Sequence, residues 1–172
     1  GLQITTEPTQ EPLSLQEVKE YLRVEDSTDE RIIRPFIETA RRICEEHTGR
    51  SLMTQTHSFF VDAYDGLADP LFEGFRTGPY LNYYKNHIVL PTSPVVSVTS
   101  VSTFNDDDTE TTMAASRYYV DNVREPARIV LRKGETFPTA LRVANAIKVL
   151  YVAGYTSAFT VPEPIRMGML QH

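Results

Sequence analysis

One cysteine, Cys44, is all the thiol that this 172-residue chain carries. That excludes an intramolecular disulfide and a multi-cysteine zinc site. Long apolar runs are missing too, and none approaches the roughly 20 residues that a bilayer-spanning helix needs. Basic residues are in deficit, 17 Lys and Arg against 23 Asp and Glu, for a net charge of −6. This balance argues against non-specific binding to DNA phosphates, which needs a basic face. The first residues lack the positive start and apolar core of a signal peptide, so a soluble protein of a reducing compartment is expected.

Recognisable catalytic motifs are equally scarce. The histidines, His47, His57, His87 and His172, are scattered, with no HxH or HxxxH pair to begin a metal site. Asp106, Asp107, Asp108 and Glu110 lack the mid-loop glycine and distant glutamate of an EF-hand, and read as a solvated hairpin tip. There is no GxSxG elbow, no GxxxxGK[ST] and no GxGxxG. Cys44 lies on an apolar stripe, where it reads as a small buried hydrophobe and not a nucleophile. No catalytic residue, cofactor or metal is therefore assigned.

What is present is ordinary globular material: 41% hydrophobic and 23% charged residues, long enough to bury about two thirds of its unfolded surface. Residues 1–12, polar and holding Pro8 and Pro12, read as a flexible N-terminal arm. Ser14-Leu15-Gln16-Glu17 has capping-box spacing and opens a short helix with Leu15, Val18 and Leu22 on one face. A second helix is expected from Thr28 to Thr48. Its wide apolar stripe comprises Ile33, Phe36, Ile37, Ala40, Ile43, Cys44 and His47. Pro35 should kink it or mark a late start, and Gly49 should end it.

Beyond Gly49 the apolar period changes from 3.6 to 2. His57 to Ala63, His87 to Leu90, Val95 to Phe104, Glu110 to Met113, Tyr118 to Val120, Ala127 to Arg132 and Ala146 to Val152 read as strands. Six to eight short strands with frequent turns make an antiparallel sheet or sandwich. Pro164 suits the first turn of a closing helix. The fold class is α+β: an N-terminal helical hairpin and a C-terminal helix around an inserted β unit.

Two groups of residues suggest interaction. Residues 65–86, the longest irregular stretch, carry Phe72, Phe75, Tyr80, Tyr83 and Tyr84, rigid aromatics of the kind that anchor interfaces or stack on sugars. The plainer reading is a loop folded over the domain's own core. Arg31, Arg34, Arg41 and Arg42 form a basic run on the second helix that could meet acidic groups of a neighbouring subunit. The plainer reading there is a solvated face paired with Glu38, Glu45 and Glu46.

Several segments taken in order carry a resemblance: LSLQEVKEYLRV at 13–24, ARRICEEHTGRSL at 40–52, LPTSPVVSV at 90–98, VLYVAGY at 149–155 and VPEPI at 161–165. Together they resemble the head–tail connector (adaptor) proteins of tailed bacteriophages and prophages, in the larger form with a β insertion. The resemblance implies a helical core from 13–52 and from 161–172, the start of a helix that in the family normally continues beyond His172. Residues 53–160 would be a β-rich insertion. It also implies a ring of about twelve copies on the portal vertex, extending the DNA channel and docking the stopper or tail-completion protein. The protein would work in the virion neck after assembly in the host cytoplasm, without a membrane. Pro164, Ile165, Arg166 and Met167 would then face the portal or neck. Subunit or tail contacts would involve Phe72, Phe75, Tyr80, Tyr83, Tyr84, Arg34, Arg41 and Arg42. An acidic channel wall would let DNA slide through without sequence-specific binding. The competing reading is a β-rich carbohydrate-binding or glycoside-processing module that uses the loop tyrosines and Asp106–Asp108.

Overall fold

Ser14 opens the first helix as its spacing predicts. The computed structural model describes residues 1–25, 29–63, 71–72, 75–76 and 87–171, with backbone alone for the two short middle pieces. Helix α1 spans Leu15–Leu22, and Ser14 Oγ accepts the Glu17 N–H at 3.1 Å. The Glu17 carboxylate accepts from Arg166 near the other end of the chain, which ties α1 to the C-terminal helix. Helix α2 runs Glu30–Thr48 with Pro35 inside it, so the late start expected there is not observed. Gly49, at φ 64°, ends it with its N–H on the Glu45 carbonyl at 2.9 Å. Helix α3, Glu163–Leu170, carries Pro164 in its first turn.

The remainder is antiparallel β structure. A five-stranded sheet has the order β1 (Leu2–Thr6), β2 (Gln55–Val61), β10 (Ile147–Ala153), β6 (Val95–Phe104) and β7 (Glu110–Thr112). A three-stranded sheet is formed by β5 (His87–Val89), β9 (Arg128–Leu131) and β8 (Tyr118–Asp121). The strands β3 (Leu71–Phe72) and β4 (Phe75–Arg76) form a two-stranded sheet. In β10 the alternation is complete: Ile147, Val149, Tyr151 and Ala153 are buried, while Lys148, Leu150 and Val152 are half-buried. Val61, Val101 and Val149 of the larger sheet meet Ile88, Ile129 and Leu131 of the smaller in one core, giving a sandwich. The chain is α+β.

The N-terminal segment departs from the sequence expectation. Instead of a flexible arm over residues 1–12, residues 2–6 form an edge strand, with Leu2 opposite Phe59 and Ile4 opposite His57. Its sequence, LQITT, has β propensity but no neighbour in the chain to announce the pairing, which is with a strand about fifty residues away. Pro12 and Leu13 are buried at its exit.

A second apolar cluster gathers Leu13, Ile33, Ile37, Leu52, Met53, Val161 and Met169 beneath the helices. The segment at 50–55 passes between the two cores, and Gly154 fits against it. A β-carbon on Gly154 would lie 2.1 Å from the Met53 carbonyl oxygen, and its φ of +119° is one that side chains rarely adopt. The Gly154 N–H also donates to Pro94 at 2.8 Å.

Arg41 joins these parts electrostatically. Its side chain is 2% exposed; Nε donates to Glu11 at 2.8 Å and Nη1 to Glu45 at 2.9 Å, with Glu7 at 3.7 Å. Glu45 then accepts the Leu52 N–H at 2.8 Å and the Gln55 amide at 2.9 Å. Burial opposes the guanidinium charge, but the Glu11 and Glu45 carboxylates outweigh it and hold Arg41 above its usual range. One cation therefore fastens the N-terminal segment to α2, and α2 to the entry of the sandwich.

Two stability effects follow. Gly154→Ala should lose about 3 kcal/mol or more in urea unfolding, from backbone strain and overlap with Met53. Arg41→Met should lose about 3–5 kcal/mol, because two carboxylates are left without their buried counter-ion. A loss below about 1 kcal/mol for Arg41→Met would mean that water reaches Glu11 and Glu45 in its place.

Candidate assembly surface

The apolar arc of α2 is too wide for its neighbours to cover. From Ile32 through Phe36, Ala40 and Ile33 to Ile37, it spans about 140° at the helical period of 100° per residue. Ile33 and Ile37 are buried, whereas Ile32 and Phe36 are exposed, Phe36 at 64%. Beside them lies an open groove of about 280 Å³. Val18, Tyr21 and Leu22 of α1 form one side of it, Ile33, Phe36 and Ile37 of α2 another, and Met169 and Leu170 of α3 close the end. Tyr21 and Leu22 are each about half exposed; Leu22 lies on the apolar face read from the sequence, whereas Tyr21 was not singled out. The width of the stripe containing Phe36 was the available signal.

The residues expected to face the portal divide along α3. Pro164 and Met167 are exposed on its outer side, with Gly168 beside them. Ile165 packs against the helical core. Arg166 is held by Glu17 and Glu163, with only 14% of its side chain exposed. Its guanidinium is thus engaged within the chain.

The basic run on α2 is also not one surface. Arg41, expected as a subunit contact, is instead the buried cation of the network above. It lies at 180° from Ile32 around the helix, on the side that meets Glu11 and the sandwich, so tertiary contacts enclose it. Arg42 is exposed and pairs with Glu7 at 3.2 Å and Glu38 at 3.0 Å. Arg34 is exposed on the first half of the helix, well before Arg42. Of the aromatic group, Phe72 and Phe75 lie opposite one another in β3 and β4, so residues 65–86 are not wholly irregular. Tyr80, Tyr83 and Tyr84 lie outside the described residues.

The polar side chains offer little chemistry. Asp107 Oδ1 accepts the Thr109 N–H at 3.1 Å at the exposed tip between β6 and β7, and Asp108 pairs with Arg142. Among the described residues no three His, Cys, Asp or Glu side chains come together as a metal site. Also among the described residues, no helix is long and apolar enough to cross a membrane. Burial pushes the Cys44 thiol up, making its thiolate scarce at neutral pH. Ser51 Oγ lies 2.8 Å from His57 Nε2, a pairing that would suit a nucleophile and base. Both are almost completely buried in the sandwich wall, out of reach of any substrate. Tyr151 stacks on His57, and burial pushes its phenol up to about 12, so it stays protonated beside Thr92.

Burial holds the His57 imidazole below its ordinary value, with Glu7 opposing weakly. The unfolded chain therefore takes up this proton first as the pH falls. The stabilisation is complete above about pH 6.5 and declines below it, with a slope of at most about 1.4 kcal/mol per pH unit for one proton. Urea unfolding between pH 7.5 and 5.5 (about two pH units) should show this decline. In His57→Gln the slope should flatten, and an unchanged slope would assign it to other groups.

No family model matches the chain, and no curated protein matches it in sequence. Solved structures do match in fold. A chain in the neck of an empty gene transfer agent (GTA) particle computed with C6 symmetry superimposes with a TM-score of 0.72 at 17% identity, covering 99% of this chain and 82% of that one. A chain in the virion of the native GTA particle gives 0.71 at 16% identity, covering 99% and 82%. A chain in the neck of the native GTA particle computed with C12 symmetry gives 0.65 at 18% identity, covering 99% and 79%. The fold described above is therefore one that chains of a gene transfer agent particle also have, along almost the whole of this chain.

Proposed function

We propose that this protein is a head–tail connector (adaptor) subunit of a phage or phage-like particle, with a structural role and no enzymatic one. In this reading about twelve copies form a ring on the portal vertex, extend the DNA channel and dock the stopper or tail-completion protein. The observation that carries it is the backbone likeness over 99% of the chain to a protein of a GTA neck. The ordered resemblance of the sequence segments to connector proteins supports the same reading.

The helical unit of 13–52 with 161–172 forms the portal side in this proposal, and the β-rich unit of 53–160 is the elaboration. The contacts of the helical unit are the exposed Pro164 and Met167 of α3 and the groove with Phe36 and Tyr21 that Met169 and Leu170 close. Burying these apolar groups against the portal supplies the driving force. Ring closure multiplies a modest contact per copy into stable attachment. At −6 per copy, twelve copies carry a formal charge of about −72, which disfavours retention of DNA phosphates on the channel wall.

Electron microscopy of the protein mixed with the portal of its own particle tests the proposal, with a ring seated on the portal as the expected result. A chain that ignores the portal and binds glycans as a monomer would overturn it. Phe36→Asp and Met167→Asp, both at exposed positions, should leave the unfolding midpoint nearly unchanged. Each should weaken portal capture by about tenfold or more.

A further inference from the structure

The five-stranded sheet has two edges, β1 and β7, and no other strand covers either of them among the described residues. The hydrogen-bond pattern shows which backbone groups each edge leaves over. Gly1 exchanges both bonds with Phe60, at 2.8 and 2.7 Å. In an antiparallel ladder bonded and non-bonded pairs alternate, so Gln3 turns its N–H and C=O towards β2 while Leu2 and Ile4 turn theirs away. At the opposite edge Met113 donates to Val101 at 2.8 Å, which makes Thr111 the next bonded residue. Glu110 and Thr112 then point their backbone groups outward.

Solvent-facing edges in monomers are guarded by lysine, proline or an inward charge. The strand LQITT has none of these, and all five of its residues are exposed; its one irregularity is a register shift between Ile4 and Thr6, at the end beyond the proposed pairing residues. On β7 the single charge, Glu110, is held by Lys148 at 2.6 Å.

We propose that β1 of one copy pairs with β7 of the next, through the outward backbone groups of Leu2 and Ile4 on one side and Glu110 and Thr112 on the other. This rests on the ring reading above and names the contact that closes the ring. A ring of more than two copies needs a heterologous contact between two different surfaces on opposite sides of the chain. The two edges of one sheet are placed that way by construction. All neighbours in the sheet are antiparallel and the strand count is odd, so β1 and β7 point the same way. Rotation about a ring axis keeps that sense, and the junction is a parallel pair with about three hydrogen bonds. The side chains of both strands are exposed.

Proline at an outward position tests this directly, because it removes a donor that the chain itself does not use. Ile4→Pro and Thr112→Pro should keep the wild-type circular dichroism and unfolding midpoint. On the portal, ring formation by either should fall by about tenfold or more in micrographs and native mass spectra. Wild-type ring yield from both folded variants would overturn the edge junction while leaving the connector function standing. A wild-type chain that never assembles would overturn both. As a second measurement, Ile4→Cys/Thr112→Cys on a Cys44→Ala background, which removes the native thiol, should give a ladder of covalent multimers with a short bis-maleimide. Dimers from Ile4→Cys alone on that background would show β1 meeting β1, and would overturn the head-to-tail arrangement.

Discussion

A buried guanidinium holds this fold together. Arg41 is almost fully removed from water, and such a charge is tolerated only when carboxylates surround it closely. Glu11 comes from the N-terminal segment, and Glu45 from one turn further along α2. Glu45 also takes the Leu52 N–H and the Gln55 amide, so the exit from the helical unit and the first residue of β2 are set by the same cluster. Directional charge-assisted bonds fix angles as well as distances, which apolar packing alone does loosely.

That constraint explains how two separate cores behave as one body. Among the described residues the sandwich core and the helical core share no buried side chain, and residues 50–55 bridge them. Gly154 lets β10 close onto Met53 at a distance that no side chain permits. Arg50 adds a bidentate pair with Glu125, at 2.8 and 3.1 Å, on the other side of the same bridge. Outside this internal fastening, the outward backbone groups of β1 and β7 and the apolar side chains of Phe36 and Tyr21 remain exposed.

Periodicity made most of the elements legible. The switch from a 3.6 to a 2 repeat at Gly49, the alternation of Ile147, Val149 and Tyr151, and the ten residues of β6 all follow from local side-chain pattern. Capping chemistry located α1, because Ser14 satisfies a backbone N–H within its own turn. The edge strand at residues 2–6 was not legible. Its pairing is with Phe59 and His57, and five polar and apolar residues before two prolines look the same in an arm as in a strand.

The site was legible in a more limited way. Sequence by itself determined that the chain is acidic, has a single thiol and carries one wide apolar arc on α2, because composition and helical spacing are local properties. It could not distinguish Arg41 from Arg34 or Arg42, since all three are cations on one helix. Only the tertiary structure enclosed Arg41, tied Arg166 to Glu17 and left Phe36 in the open. The physical reason is that burial depends on what packs across from a residue. Here those groups lie 30 and 149 positions away for the two arginines, beyond the reach of any local pattern.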